Sequence, residues 1–155
     1  MEIPSLKPFS LVGGTALSLK YGHRSSEYLD LFYHEKFDNS LIEHELIEKF
    51  GTNYYSEGGH KNFDIFCYLN KVKVDIVYFP HLPIAPVEVE KGIRFYSSAD
   101  IAAMKIQAIL GRGKKKDFWD LHELLKQFSL QQIIDWHKQK YPNQMLAISI
   151  PNAIT

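Results

Sequence analysis

The chain has 155 residues, with 18 Lys+Arg against 18 Asp+Glu, so its net charge is zero with His neutral. That balance excludes a global basic field for nonspecific nucleic-acid binding and leaves open a local patch. A composition 45% hydrophobic and 14% aromatic suits one globular domain, and the single cysteine, Cys67, excludes an internal disulfide framework and fits a reducing compartment.

The opening MEIPSLKPFSLVGG lacks a basic region followed by a long apolar core, so no signal peptide is expected. No apolar run approaches the roughly 18 to 20 residues of a membrane span, so a cytoplasmic protein without membrane contact is expected. Lys7 to Val12 reads as a short strand or a helix end. Gly13-Gly14-Thr15 then turns into a helix, with Ala16, Leu19 and Lys20 on one face and Gly22 at its C-cap. Tyr28 to Tyr33 alternates as a strand.

Asp38 or Ser40 can cap the next helix, LIEHELIEKF. There Leu41, Ile42, Leu46, Ile47 and Phe50 repeat at helical spacing, and Gly51 ends the run. Three strands are predicted in NYYSE, KNFDIFCYL and KVKVDIVYF, with turns at Gly58-Gly59 and Asn70-Lys71. Pro80, Pro83 and Pro86 make an extended surface connection within the domain. Ser97 and Asp100 form a capping pair for a helix from about Ala99 to Leu110, which GRGKKK breaks. DFWDLHELLKQF is the next helix, expected to bury Leu121, Leu124, Leu125 and Phe128. Ser129 and Gln132 cap a last helix that ends near Tyr141-Pro142. The fold class is α+β: a mixed or antiparallel sheet packed with helices and a helical C-terminal part. Residues 1–96 are read as the α/β core and 97–155 as the helical part of the same domain.

Four groups of residues can carry chemistry. Gly13, Gly14 and Thr15 open a helix, so backbone, dipole and hydroxyl can meet a phosphate; an ordinary strand-to-helix turn reads the same way. Asp30 lies on a strand where residues two apart share a face, and a metal pair would want a second carboxylate at position 28. Tyr28 stands there instead, a phenol with a pKa of about 10 and a poor ligand for a hard cation, while Glu27 points to the opposite face. Asp75 sits among Val74, Ile76 and Val77, costly to bury unless paired or metal-bound, or else solvent-facing beside Lys73. Asp64, in NFDIF, reads as a solvent-facing position. Lys105 and Arg112, two turns apart, can reach a triphosphate, and GRGKKK can touch phosphates or remain solvated surface. Lys116 and Asp120, at i and i+4, can form a surface salt bridge. The histidines lack zinc spacing, and neither a G-x-S-x-G elbow nor a Walker A motif is present.

Taken together, LVGGTALSLKYGHRSS, LDLF, VKVDIVYFP and AAMKIQAILGRGKKKDFWDLHELL resemble, in order and spacing, the AbiEii/AbiGii toxin-type nucleotidyltransferases of the polymerase-β-like superfamily. The last block is the most specific, being close to that family's K-x-x-A-x-x-x-R-x-x-x-x-D-x-x-D-L helix pair. The resemblance spans roughly residues 10 to 130. It implies transfer of a nucleoside monophosphate from an NTP to an RNA, protein or small-molecule acceptor, with Mg²⁺ as cofactor and an antitoxin protein as partner. It assigns Gly13, Gly14 and Thr15 to the nucleotide phosphates, Asp30 and Asp75 to metal and catalysis, and Lys105 to the triphosphate. Arg112 and Lys116 become further nucleotide contacts, with Asp117 and Asp120 in support. Where the family has H-R-x-S-x-D-x-D, this chain has His23-Arg24-Ser25-Ser26-Glu27-Tyr28-Leu29-Asp30, so the first metal aspartate is Tyr28 and slowed transfer is expected. A catalytically inactive nucleotide- or RNA-binding module is the alternative. The chain is also short for the family, so a missing C-terminal helical part with acceptor contacts is expected.

Overall fold

A computed structural model describes residues 2–58 and 64–144. The expected turn at Gly58-Gly59, the start of KNFDIFCYL and the terminal SIPNAIT lie wholly or partly outside the described residues.

Among the described residues, seven strands form one sheet: β1 (Ser10–Val12), β2 (Leu29–Tyr33), β3 (Tyr54–Ser56), β4 (Ile65–Leu69), β5 (Val72–Tyr78), β6 (Glu88–Glu90) and β7 (Ile93–Phe95). Their spatial order is β3-β4-β5-β2-β1-β7-β6. Pairing is antiparallel except for β2 with β5 and β1 with β7. The helices are α1 (Gly13–Tyr21), α2 (Asn39–Phe50), α3 (Ser98–Gly111), α4 (Lys115–Leu124) and α5 (Leu130–Lys140). α3 packs against α4 and α5, and α1 packs against α3 and α4.

Strand alternation builds the core and, one residue out of phase, the site. Ile65, Ile76, Leu31, Leu11 and Phe95 are register partners across five strands, and all are buried. The neighbouring row runs Phe66, Asp75, Asp30, Val12. Because successive side chains point to opposite faces, the row that seals the core turns the two aspartates to the other side. Cys67 is fully buried in β4, as expected of a core residue, and burial pushes its thiol up to about 12.

Local signals account for most helix ends. The Asp38 side chain accepts from the amides of Ser40 and Leu41, and Gly22 takes the left-handed conformation that closes α1. Ser129 and Gln132 form both bonds of a capping box. The Asn70-Lys71 turn joins β4 to β5 with φ of 49° and 68°, the mirror-image turn suited to strand twist. Lys71 adopts this left-handed geometry against its side-chain preference. Lys71→Gly is therefore expected to raise stability by about 0.5 kcal/mol, read as a higher urea midpoint at unchanged slope.

Several elements differ from expectation. The β6–β7 hairpin adds two strands after the proline-rich connection. Its β6 is exposed throughout, so no buried alternation announces it, and only the pairing of β7 with β1 selects it. In α1 the buried run is Gly14 to Leu17, whereas Leu19 is exposed and Lys20 pairs with Glu88 at 2.7 Å. The first half of that helix is enclosed on all sides, so one-face periodicity does not apply. On α2 only Ile42 and Leu46 are buried; Leu41 and Ile47 face outward. α4 stops at Leu124, which leaves Leu125 exposed, while Phe128 packs edge-on against Trp136 at 5.0 Å.

Candidate active site

Asp30 and Asp75 are direct register partners on the parallel strands β2 and β5. Neighbouring strands lie about 4.8 Å apart, so the two carboxylates stand side by side on one face. They form the floor of a cleft of about 450 Å³. Six of its lining residues are Lys or Arg (Arg24, Lys73, Lys105, Arg112, Lys114 and Lys116), an excess over the two Asp that suits a polyanion.

Burial raises the pKa of Asp30, and repulsion from Asp75 adds to it against the pull of Lys105, Lys116 and Arg112. Burial likewise raises that of Asp75, opposed by Lys73 and reinforced by Glu57 and Asp64. Among the described residues, Asp75 Oδ1 is buried without a hydrogen-bond partner, and Lys73 Nζ stands 3.9 Å away. Two destabilised carboxylates with an unused oxygen fit a hard divalent cation. Among the described residues no three His, Cys, Asp or Glu converge on one metal position, so the phosphates of a ligand would have to complete the coordination.

Behind this floor lies a buried ionic network. Lys105 Nζ is 2.7 Å from Asp120 Oδ2 and 3.2 Å from Asp117 Oδ1. Arg24 grips Asp120 through two nitrogens at 2.6 and 2.9 Å, and His23 Nε2 adds a third contact at 2.7 Å. Arg112 holds Asp117 with two bonds of 3.0 Å. Burial alone would raise the pKa of both aspartates. The hydrogen bonds and charges of Arg24 and Lys105 win at Asp120, and those of Arg112 and Lys105 win at Asp117, holding both below the usual carboxylate range. Their stabilisation is present above the unfolded-state pKa and is lost as pH falls through the lower folded-state values. Lys105 is thus fixed on α3 with its ammonium at the cleft wall.

Two helices point their N-termini at the same space. α1 starts at Gly13 and α4 at Lys115, and neither has a side-chain cap on its first amides. Lys114, Lys115 and Lys116 at the start of α4 oppose the helix dipole, and a bound polyanion would relieve that conflict.

The glycine pair has a reason visible only in three dimensions. Gly13 has φ +70°, and a Cβ there would come within 2.6 Å of Asp30 Oδ2. At Gly14 a Cβ would overlap the Arg24 guanidinium. Thr15 is buried, and its hydroxyl bonds Ser26 Oγ at 2.8 Å and the carbonyl of Tyr28. It therefore ties the 26–28 loop to α1 at the edge of the cleft.

The match to known proteins agrees with this geometry. Residues 2–146 match the family described as the nucleotidyl transferase AbiEii toxin of type IV TA systems. The chain belongs to the AbiEii family. An uncharacterised protein of Aquifex aeolicus, aq_aa25, is 33% identical over 152 residues, which is 94% of this chain and 72% of that protein. JHP933 of Helicobacter pylori has a TM-score of 0.55 at 20% identity, covering 98% of this chain and 82% of that one. The antibiotic-resistance factor ANT(2'')-Ia reaches 0.60 at 14% identity, covering 85% and 80%. The Megavirus polyadenylate synthase reaches 0.56 at 15% identity, covering 92% of this chain and 30% of that one. The fold is that of the nucleotidyltransferases, and no helix among the described residues is long and apolar enough to cross a membrane.

Within this AbiEii chain, Gly13, Gly14, Asp30, Asp75, Lys105, Arg112 and Lys116 all reach the cleft. Asp117 and Asp120 lie buried behind it. The expected Lys116–Asp120 surface pair is replaced: Asp120 turns inward to Lys105 and Arg24, while Lys116 Nζ lies 5.9 Å from the Tyr28 ring. Asp64 is no idle surface group either, since its Oδ1 accepts the Tyr78 amide at the end of β5. Sequence reasoning gives no role to His23, Arg24 or Tyr68, places Lys73 only beside Asp75, and includes Lys114 only within the GRGKKK run that can touch phosphates. For His23 and Arg24 the signal was the G-H-R-x-S block, whose partner Asp120 lies some ninety-six positions away.

Proposed function

We propose that this chain binds an NTP with Mg²⁺ in the cleft and transfers its nucleoside monophosphate to an acceptor hydroxyl, with release of pyrophosphate. The observation that carries this reading is the register pairing of Asp30 with Asp75 beneath a wall of cations. Asp30 and Asp75 would hold the metal, which when bound neutralises the phosphates and activates the attacking oxygen. The amides at Gly13 and Gly14 receive phosphate oxygens, and Thr15 holds the loop beside them. Lys105, Arg112 and Lys116 orient the triphosphate, and Asp117 and Asp120 keep Lys105 and Arg112 in place. Such an enzyme would work in the NTP- and Mg²⁺-rich cytoplasm on an RNA or protein acceptor. The family's toxin–antitoxin description supports an antitoxin protein as partner.

Tyr28 favours a second reading, nucleotide binding without efficient transfer. It is half exposed at the cleft, where a third carboxylate would complete the metal set. The test is calorimetric titration with each NTP, with and without Mg²⁺, on wild type and Tyr28→Asp, followed by a transfer assay. Metal-dependent binding in both proteins with at least about tenfold faster transfer by Tyr28→Asp is expected, because a restored metal ligand is worth at least what outer-shell partners are. Binding without any gain in transfer would favour the non-catalytic reading, and binding in neither protein would overturn both.

A further inference from the structure

Further along the same sheet face, past Asp30, lies a separate cavity of about 280 Å³. It and the cationic cleft share no lining residue. Its polar groups come from neighbouring strands. Leu11 and Phe95 are partners in the parallel pairing of β1 with β7, so alternation sets Ser10 beside Arg94 on the opposite face. Tyr96 follows Arg94 by two positions, and its amide bonds the Leu11 carbonyl at 3.2 Å. Phe32, Pro83 and Val87 supply apolar walls. Among the described residues, Arg94 Nε and the Tyr96 hydroxyl are both buried without a hydrogen-bond partner, and Tyr96 is only 2% exposed. No Asp or Glu among them lines the cavity; Glu35 pairs with His34 at 3.7 Å and Glu88 with Lys20 at 2.7 Å.

We propose that this cavity binds a small organic carboxylate, with the Arg94 guanidinium and the Tyr96 hydroxyl as its donors. Buried donors without an acceptor are costly, and a bound anion relieves both at once. Burial, reinforced by the Asp100 carboxylate, pushes the Tyr96 phenol up to about 12, so it stays protonated and donates. A guanidinium presents parallel N–H groups that match the two oxygens of a carboxylate. One guanidinium balances one negative charge. A phosphate dianion enclosed by proline, valine and phenylalanine side chains would keep a second charge uncompensated. Those apolar walls suit instead a carboxylate with a hydrocarbon body. The volume equals that of roughly nine waters, the scale of a small organic acid rather than of a nucleotide.

The experiment is NMR titration of the full chain, without Mg²⁺ or nucleotide, using sodium benzoate, sodium acetate, benzamide and inorganic phosphate at constant pH and ionic strength. The Arg94 Nε–Hε signal and the backbone amides of Ser10 and His34 are the readouts. Benzoate should shift all three with a Kd on the order of 1–10 mM, the range open to so small a ligand. Acetate, which lacks the apolar body, should bind at least about threefold more weakly. Benzamide, which lacks the charge, should leave the signals in place. Tyr96→Phe should weaken benzoate about tenfold, and Arg94→Gln should remove its effect on Ser10 and His34, the rest of each spectrum showing that the variant is folded. No response of wild type to benzoate at about ten times that Kd range would overturn the proposal and leave a hydrated cavity. An equal response to benzamide would overturn recognition by charge, and phosphate bound more tightly than benzoate would overturn the carboxylate assignment. Full benzoate affinity in Arg94→Gln would remove Arg94 from the site. The wild-type arms decide even where a variant fails to fold, and none of these outcomes bears on the cleft.

Discussion

Asp30→Asn is expected to abolish Mg²⁺-dependent nucleotide binding and at the same time to make the ligand-free protein more stable. The two effects share one cause. Asp30 is forced beside Asp75 in a partly desolvated row, so its charged form is disfavoured in the folded state. A group whose folded pKa is raised costs stability above that pKa, and the cost fades as pH falls towards the unfolded value. The neutral amide should therefore raise stability by about 0.5–2 kcal/mol near pH 7, with the gap over wild type closing towards pH 4. Affinity for MgNTP should fall by at least about a hundredfold, since a metal ligand outweighs the second-shell partners whose loss costs ten- to a hundredfold. Thermal melts at two pH values and one titration measure all of this. Wild-type nucleotide affinity in Asp30→Asn would remove Asp30 from the site.

The largest stability loss is expected elsewhere, at Lys140→Met. Lys140 Nζ lies 2.6 Å from Asp100 Oδ1, and both side chains are fully buried. Asp100 also accepts from the amides of Ile84 and Ala85 and from the Ser97 hydroxyl, and Lys140 donates to the carbonyl of Leu82. One ion pair thus joins α3, the end of α5 and the proline-rich connection. Removing the cation leaves a buried carboxylate without its counter-charge, a loss of about 3–5 kcal/mol. In a chain of this size that is a fall in Tm of about 10 °C. Replacing Asp100 as well should not restore stability, because the Ile84 and Ala85 amides would then lose their acceptor. Urea denaturation of the single and double variants decides it; a loss under about 1 kcal/mol in Lys140→Met would show that the pair contributes little.

The same residue illustrates how far local reading reaches. Asp100 was legible as a capping partner of Ser97, and that bond is present. Its larger duty, to residues sixteen positions back and forty ahead, follows from no local pattern. Glycine behaved similarly. The pair at 13 and 14 was visible as a special turn, but the groups that exclude a Cβ are Asp30 and Arg24, brought in by the sheet and by the loop after α1.

Short-range chemistry was enough to place α2, α3 and α5, the Asn70-Lys71 turn and the aspartates on β2 and β5, because caps, turn conformations and strand alternation act over a few residues. Tertiary structure alone decided that β2 and β5 run parallel in the register that sets Asp30 against Asp75, that Asp120 turns inward to Lys105 and Arg24, and that a fully exposed strand at 88–90 joins the sheet. Those outcomes depend on pairings between segments tens of residues apart. Their energies come from burial, strand hydrogen bonding and charge neutralisation that exist only once the chain has closed on itself.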